Sequence, residues 1–137
     1  MSAARFYVAT AVLGDLLYVI GGLDPVVTGR VERYDPTTDS WTTLASISPP
    51  RQNPVAETVN GKIYAIGGWN GSAMVKTNEE YDPTTNTWTP RALMTTARYT
   101  MGSAVLHDRI YVIGGASPAY LATLEVYDPA TDTWSTK

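Results

Sequence analysis

Three arginines and three glutamates recur along this 137-residue chain at steps of 46 or 47 residues: Arg5, Arg51 and Arg98 in one series, Glu32, Glu79 and Glu125 in the other. A guanidinium meets a carboxylate through two parallel donors. Matched series of opposite charge therefore predict buried or half-buried ion pairs rather than a binding site. Little else in the chain carries chemistry. His107 is the only histidine and cysteine is absent, so the usual metal-ligand sets and thiolate sites cannot be assembled. No serine has a histidine or aspartate at motif spacing. Gly67-Gly68-Trp69-Asn70-Gly71 lacks the Lys-Ser/Thr pair and the helix that follow a phosphate-cradling loop. Glu57 stands where the other copies carry Ala11 and Ala104, and it reads as a solvated carboxylate rather than a catalytic acid. The chain is expected to have no catalytic residue, no metal and no cofactor.

The elements that must position these residues follow the same period. Gly21-Gly22 returns as Gly67-Gly68 and Gly114-Gly115. Tyr34-Asp35-Pro36-Thr37-Thr38 with Trp41 returns around Tyr81 with Trp88, and around Tyr127 with Trp134. A fixed period of this size implies one supersecondary unit per repeat. In the middle copy, Val55–Val59 and Lys62–Ile66 read as strands joined by Asn60-Gly61, a pair suited to a two-residue hairpin. Gly14-Asp15 and His107-Asp108 take the same place in the other copies. Thr77–Tyr81 reads as a third strand, and a fourth begins over Asn86–Thr89 after the Asp-Pro turn. No segment carries a helical period. The chain is expected to be all-β, with four antiparallel strands in each of three blades: about residues 5–46, 51–93 and 98–137 of a single domain.

Composition sets the outer limits. Hydrophobic residues make up 44% and charged residues 17%, enough for a packed core. A net charge of −3 gives no reason to expect nucleic acid or an anionic membrane as partner. No apolar run approaches a membrane span, the N-terminus lacks the pattern of a signal peptide, and a chain without cysteine suits the cytoplasm.

Gly-Gly after an apolar strand, then Tyr-Asp-Pro-x-Thr-x-x-Trp, resembles the kelch repeat, and the resemblance runs from Arg5 to Trp134. It implies a propeller of six or seven blades and a protein-interaction module or structural scaffold. This chain departs from that pattern in number, with three repeats. Three blades leave two apolar end faces bare, and six is the multiple of three within the known range of about four to eight blades. The expectation is a C2 homodimer that closes a six-bladed ring, blade 1 of each copy meeting blade 3 of the other. Two alternatives stand beside it. One is an engineered or excised assembly unit with no evolved ligand. The other is a carbohydrate-handling enzyme or lectin using channel-mouth arginine and glutamate, as in some kelch relatives.

In such a meander the loops between blades share one face, the top, with the loops between second and third strands. That face is expected to carry Arg5, Arg30, Arg51, Lys76, Arg91, Arg98 and Lys137 against Asp24, and the bottom Asp15, Asp35, Asp39, Asp82, Asp108, Asp128 and Asp132 against Lys62 and Arg109. Kelch modules that bind acidic peptides often place arginine two residues after the opening Arg. Here those positions are Tyr7, Asn53 and Thr100, which offer hydrogen bonds but no charge. Trp69, Met74 and Tyr120 in the top loops are further contact candidates for a peptide or protein, along with Val26, Val27 and Leu121. The glycine pairs, Tyr34, Tyr81, Tyr127, Trp41, Trp88, Trp134 and the two charged series are expected to be structural.

Overall fold

Sixteen short strands and no helix make up the computed structural model, which describes residues 1–137. The first repeat holds β1 (Ala9–Leu13), β2 (Leu16–Ile20), β3 (Leu23–Asp24), β4 (Val26–Val27), β5 (Val31–Asp35) and β6 (Ser40–Leu44). The second holds β7 (Val55–Val59), β8 (Lys62–Ile66), β9 (Asn78–Asp82) and β10 (Thr87–Pro90). The third holds β11 (Gly102–Leu106), β12 (Arg109–Ile113), β13 (Ala116–Ser117), β14 (Ala119–Tyr120), β15 (Leu124–Asp128) and β16 (Thr133–Thr136). They form three four-stranded antiparallel sheets, ordered β1-β2-β5-β6, β7-β8-β9-β10 and β11-β12-β15-β16. These sheets are the three blades.

Turn chemistry sets each register. Asn60 and Gly61 both adopt positive φ, 50° and 74°, so Val59 lies opposite Lys62 across a tight hairpin. His107 and Asp108 reach the same geometry without glycine, at 50° and 56°. The Asp of each Asp-Pro turn accepts a proton from the amide two residues on: Thr37 to Asp35 at 2.8 Å, Thr84 to Asp82 at 2.8 Å, Ala130 to Asp128 at 3.0 Å. Asn86 turns left-handed at φ 54°, so β10 starts at Thr87, one residue later than expected. The loops after the first and third glycine pairs also differ from expectation. They fold back as the two-residue ladders β3–β4 and β13–β14.

The blades stack face to face. Residues of β8 alternate between two neighbours. Ile63 and Ala65 pack with Ala11, Tyr18 and Ile20 of the first blade; Tyr64 and Ile66 pack with Ile110, Val112 and Tyr127 of the third. Ile47 seals the first junction and Met94 the second, each from the segment that links two blades. Small residues at Ala9, Ala11 and Ala56 let the innermost strands approach, and the Thr58 hydroxyl reaches the Val12 carbonyl at 2.7 Å. Tyr81 and Trp88 fill the wider outer gap, their ring centroids 5.0 Å apart.

Candidate functional site

The two charged series meet inside the blades. Arg5 donates to Glu32 at 2.5 Å and Arg51 to Glu79 at 2.5 Å; Arg98 pairs with Glu125 in the same way. All six side chains are essentially sealed from solvent. Other guanidinium protons go to carbonyls: Arg5 to Gly21 at 2.7 Å and Arg30 at 2.9 Å, Arg51 to Ala65 at 3.0 Å, Arg98 to Gly114 at 3.0 Å. Each glutamate also receives the amide of a linker residue: Ser2 at 2.7 Å, Ser48 at 3.1 Å, Thr95 at 2.7 Å. The Arg–Glu pair thus staples the segment that opens a blade to that blade's third long strand. For Glu32, burial pushes the carboxyl up, but the Ser2 amide and the Arg5 guanidinium outweigh it and hold it below the usual glutamate range. For Glu125 the same contest is won by the Thr95 amide, Arg98 and the Thr96 amide.

This pairing corrects the expectation of a basic top face. Arg5, Arg51 and Arg98 are spent internally. Arg30 lies 3.6 Å from Asp24, and Arg91 holds Glu80 through two bonds at 3.1 and 2.9 Å. Lys76 and Lys137 are the top-face cations left without an ion pair. On the bottom, Lys62 pairs with Asp82 at 2.7 Å and Arg109 with Asp128 at 3.0 Å. Asp39, Asn86 and Asp132 take the hydroxyl protons of Tyr34, Tyr81 and Tyr127 at 2.7–2.9 Å, so these side chains are turn and packing groups.

At the entries to the innermost strands, the top face presents aromatic and neutral polar groups. Tyr7, Asn53 and Thr100 occupy equivalent places where the chain enters each innermost strand. All three adopt left-handed backbone, at φ 59°, 49° and 52°. Such a conformation is unfavourable for tyrosine and for β-branched threonine. The Asn53 amide donates to the Tyr7 carbonyl at 2.8 Å, so two of the three are linked across the first junction. Tyr7 and Thr100 are exposed and Asn53 half-buried. Phe6 and Tyr7, both about half exposed, stand with ring centroids 4.7 Å apart. Below them an open groove of about 260 Å³ runs along the innermost strands, lined by Thr10, Pro54, Glu57 and Ser103. Ser103 donates to Glu57 at 2.6 Å across the second junction.

The loop candidates separate into two kinds. Trp69 folds down: its backbone exchanges two 2.9 Å bonds with Gln52, and its ring lies against Tyr99 at 6.2 Å. Met74 is bridged to it and half-buried. Tyr120, at the end of β14, is 97% exposed, and Val26 on β4 projects similarly. No group of three or more His, Cys, Asp or Glu side chains is placed to hold a metal ion.

The glycine pairs explain how junction and site are coupled. Gly22 donates its amide to the Arg51 carbonyl at 3.0 Å, and Gly68 to that of Arg98 at 2.9 Å. A Cβ on Gly21 would stand 2.4 Å from the Arg51 oxygen, and one on Gly67 2.8 Å from that of Arg98. The first two glycine pairs therefore each receive the opening arginine of the next blade, which fixes where Asn53 and Thr100 sit. Three such repeats, with their Tyr-Asp-Pro turns and four-stranded sheets, match the KLHDC2/KLHL20/DRC7 Kelch-repeats domain over residues 3–137. The chain belongs to the kelch-repeat family.

Among kelch relatives, an F-box/kelch-repeat protein of Arabidopsis thaliana is 37% identical over 70 residues, half of this chain and 19% of its own length. Alpha-scruin of Limulus polyphemus is 39% identical over 70 residues, half of this chain and 8% of its own. Human Kelch-like protein 5 is 47% identical over 47 residues, 34% of this chain and 6% of its own. The matched kelch segments thus span less than a fifth of each of these relatives. Kelch-repeat proteins are generally interaction scaffolds rather than enzymes.

Proposed function

We propose that this chain is a non-enzymatic interaction scaffold: half a propeller that pairs with a second copy into a C2-symmetric six-bladed ring and presents its top face to a peptide or protein. The observation that carries the self-closure is a contrast between equivalent residues. Ile20 and Ile66 are fully buried in the two internal junctions, whereas Ile113, in the same register on the outer side of the third blade, is 51% exposed. Leu106 is 53% exposed where Val59 is 2%. On the outer side of the first blade Trp41 is exposed where Trp88 and Trp134 are half-buried. Both outward faces carry the side chains of a blade junction, and exposed apolar surface of that kind drives association.

The top-face contact set is Tyr7, Asn53, Thr100 and Tyr120, with Trp69 and Met74 supporting the loops. Left-handed backbone at three equivalent places, strained and exposed at Tyr7 and Thr100, and a fully projecting tyrosine support this choice. A reducing, cytoplasmic setting fits a chain without cysteine, and no helix is long and apolar enough to cross a membrane. The test is selection of binders from a displayed peptide library, followed by titration against Tyr7→Ala and Tyr120→Ala. Peptides that lose at least tenfold in affinity to both variants, with the melting temperature unchanged, support the assignment. Binders indifferent to both contradict it.

A further inference from the structure

We infer the register of the closing junction: the opening segment Met1–Arg5 of a second copy takes, against the third blade, the place that residues 47–51 and 94–98 hold at the internal junctions. This rests on the self-closing reading above. Met1 is in repeat register with Ile47 and Met94, the two residues that seal the internal junctions, and it is exposed in the single chain. Ser2 already sits in register with Ser48 and Thr95, its amide on Glu32 as theirs are on Glu79 and Glu125. The segment is therefore held in its junction conformation before any second copy arrives.

The glycine pairs supply the matching half. Gly22 and Gly68 each donate to the carbonyl of the next opening arginine, while the Gly115 amide has no backbone acceptor and the Arg5 carbonyl receives no backbone amide. Gly21 and Gly67 have an arginine carbonyl within 2.4 and 2.8 Å of where a Cβ would stand; at Gly114 the nearest atom is the Leu121 oxygen at 3.3 Å. Gly114 nevertheless keeps the same backbone, φ 61°. The third blade thus holds a receptor for an arginine carbonyl and the first blade holds the carbonyl, at opposite ends of one chain. Deeper in the junction, Val12, Leu17 and Tyr34 line an apolar groove of about 540 Å³ on the outward face of the first blade. Their counterparts Thr58, Ile63 and Tyr81 face the first blade, where Leu13 packs. Leu106 is the register counterpart of Leu13, so Leu106 of the second copy is the occupant of this groove.

Two variants test the register. Gly114→Asn keeps a residue tolerant of left-handed backbone but places a Cβ where the Arg5 carbonyl must enter. The expected result is unchanged β-sheet circular dichroism and a dimer dissociation constant raised at least tenfold. Val12→Cys/Leu106→Cys in one chain exploits the groove just described, where Val12 of one copy faces Leu106 of the other as the second blade's Thr58 face meets Leu13 of the first. The native chain has no cysteine, so oxidation or a short bismaleimide reports this pair alone. A covalent dimer is expected, because the second blade keeps the two positions apart within one chain; this readout decides the matter if Gly114→Asn does not fold. A wild-type dimer that tolerates Gly114→Asn and yields no cross-link overturns the register and leaves self-closure standing. A wild-type chain that stays monomeric overturns both.

Discussion

The indole of Trp88 donates its Nε1 proton to the carbonyl of Ala45 at 2.8 Å, fastening the outer edge of the second blade to the strap that leaves the first. Trp134 makes the same bond to Ala92 at 2.8 Å. Trp41, their counterpart, faces outward from the first blade. Trp88→Ala is therefore expected to cost about 3 kcal/mol, toward the low end of buried aromatic truncations because the ring is half-buried. Trp41→Ala is expected to cost less than about 1 kcal/mol in the isolated chain, as surface substitutions do. Urea denaturation at low protein concentration separates the two. Equal midpoints for wild type and Trp88→Ala contradict the packing described.

The buried Arg–Glu staples make a second demand. Arg51 serves Pro49, Glu79 and Ala65 at once through a planar fork. A lysine has one nitrogen and cannot reach all three acceptors. Arg51→Lys is expected to destabilise by about 3 kcal/mol, close to the loss of a buried pair's partner. Chemical denaturation with far-UV circular dichroism measures it, and a change under about 1 kcal/mol argues against the staple.

Acid should loosen the fold through the same groups. Glu32 and Glu125 titrate below their ordinary value of 4.5 because amides and arginines outweigh the cost of burial, and Glu80 does so because Arg91, the Tyr64 hydroxyl and Lys62 outweigh it. A depressed folded-state pKa means stability that is whole above the unfolded pKa and lost as pH falls through the folded one. The melting temperature is expected to hold between pH 7 and about 5 and to drop below about 4.5. Glu32→Gln should flatten part of that drop and lower stability at pH 7. A melting temperature that is level down to pH 3 is the contrary result.

Backbone strain at the top face predicts a gain. Thr100 is β-branched and sits at φ 52°. Asparagine adopts this conformation more readily. Thr100→Asn is expected to stabilise by about 0.5–1 kcal/mol, read as a higher urea midpoint. A lower midpoint means that the threonine side chain contributes more than its backbone costs.

Much of the fold was legible because repeats multiply weak signals. One Gly-Gly or one Asn-Gly turn says little, but glycine pairs, Tyr-Asp-Pro turns and tryptophans in register give blade number and strand order together. The boundaries slipped where a turn residue was counted as strand, as at Asn86, whose left-handed backbone belongs to the turn. The top face was less legible. The matched Arg and Glu series foretell the buried pairs, but that these pairs leave Arg5, Arg51 and Arg98 with no part in the top face depends on carbonyls contributed by Gly21, Ala65 and Gly114 from elsewhere in each blade. The left-handed backbone at Tyr7 and Thr100 has no sequence signature, since neither residue favours it. Trp69 gave no hint that Gln52 would pair with its backbone.

Multi-angle light scattering on a size-exclusion column, run across a dilution series, tests the central claim most directly. The account predicts one species at twice the chain mass of 14.9 kDa, dissociating only on dilution. A folded species of 14.9 kDa at every concentration contradicts it.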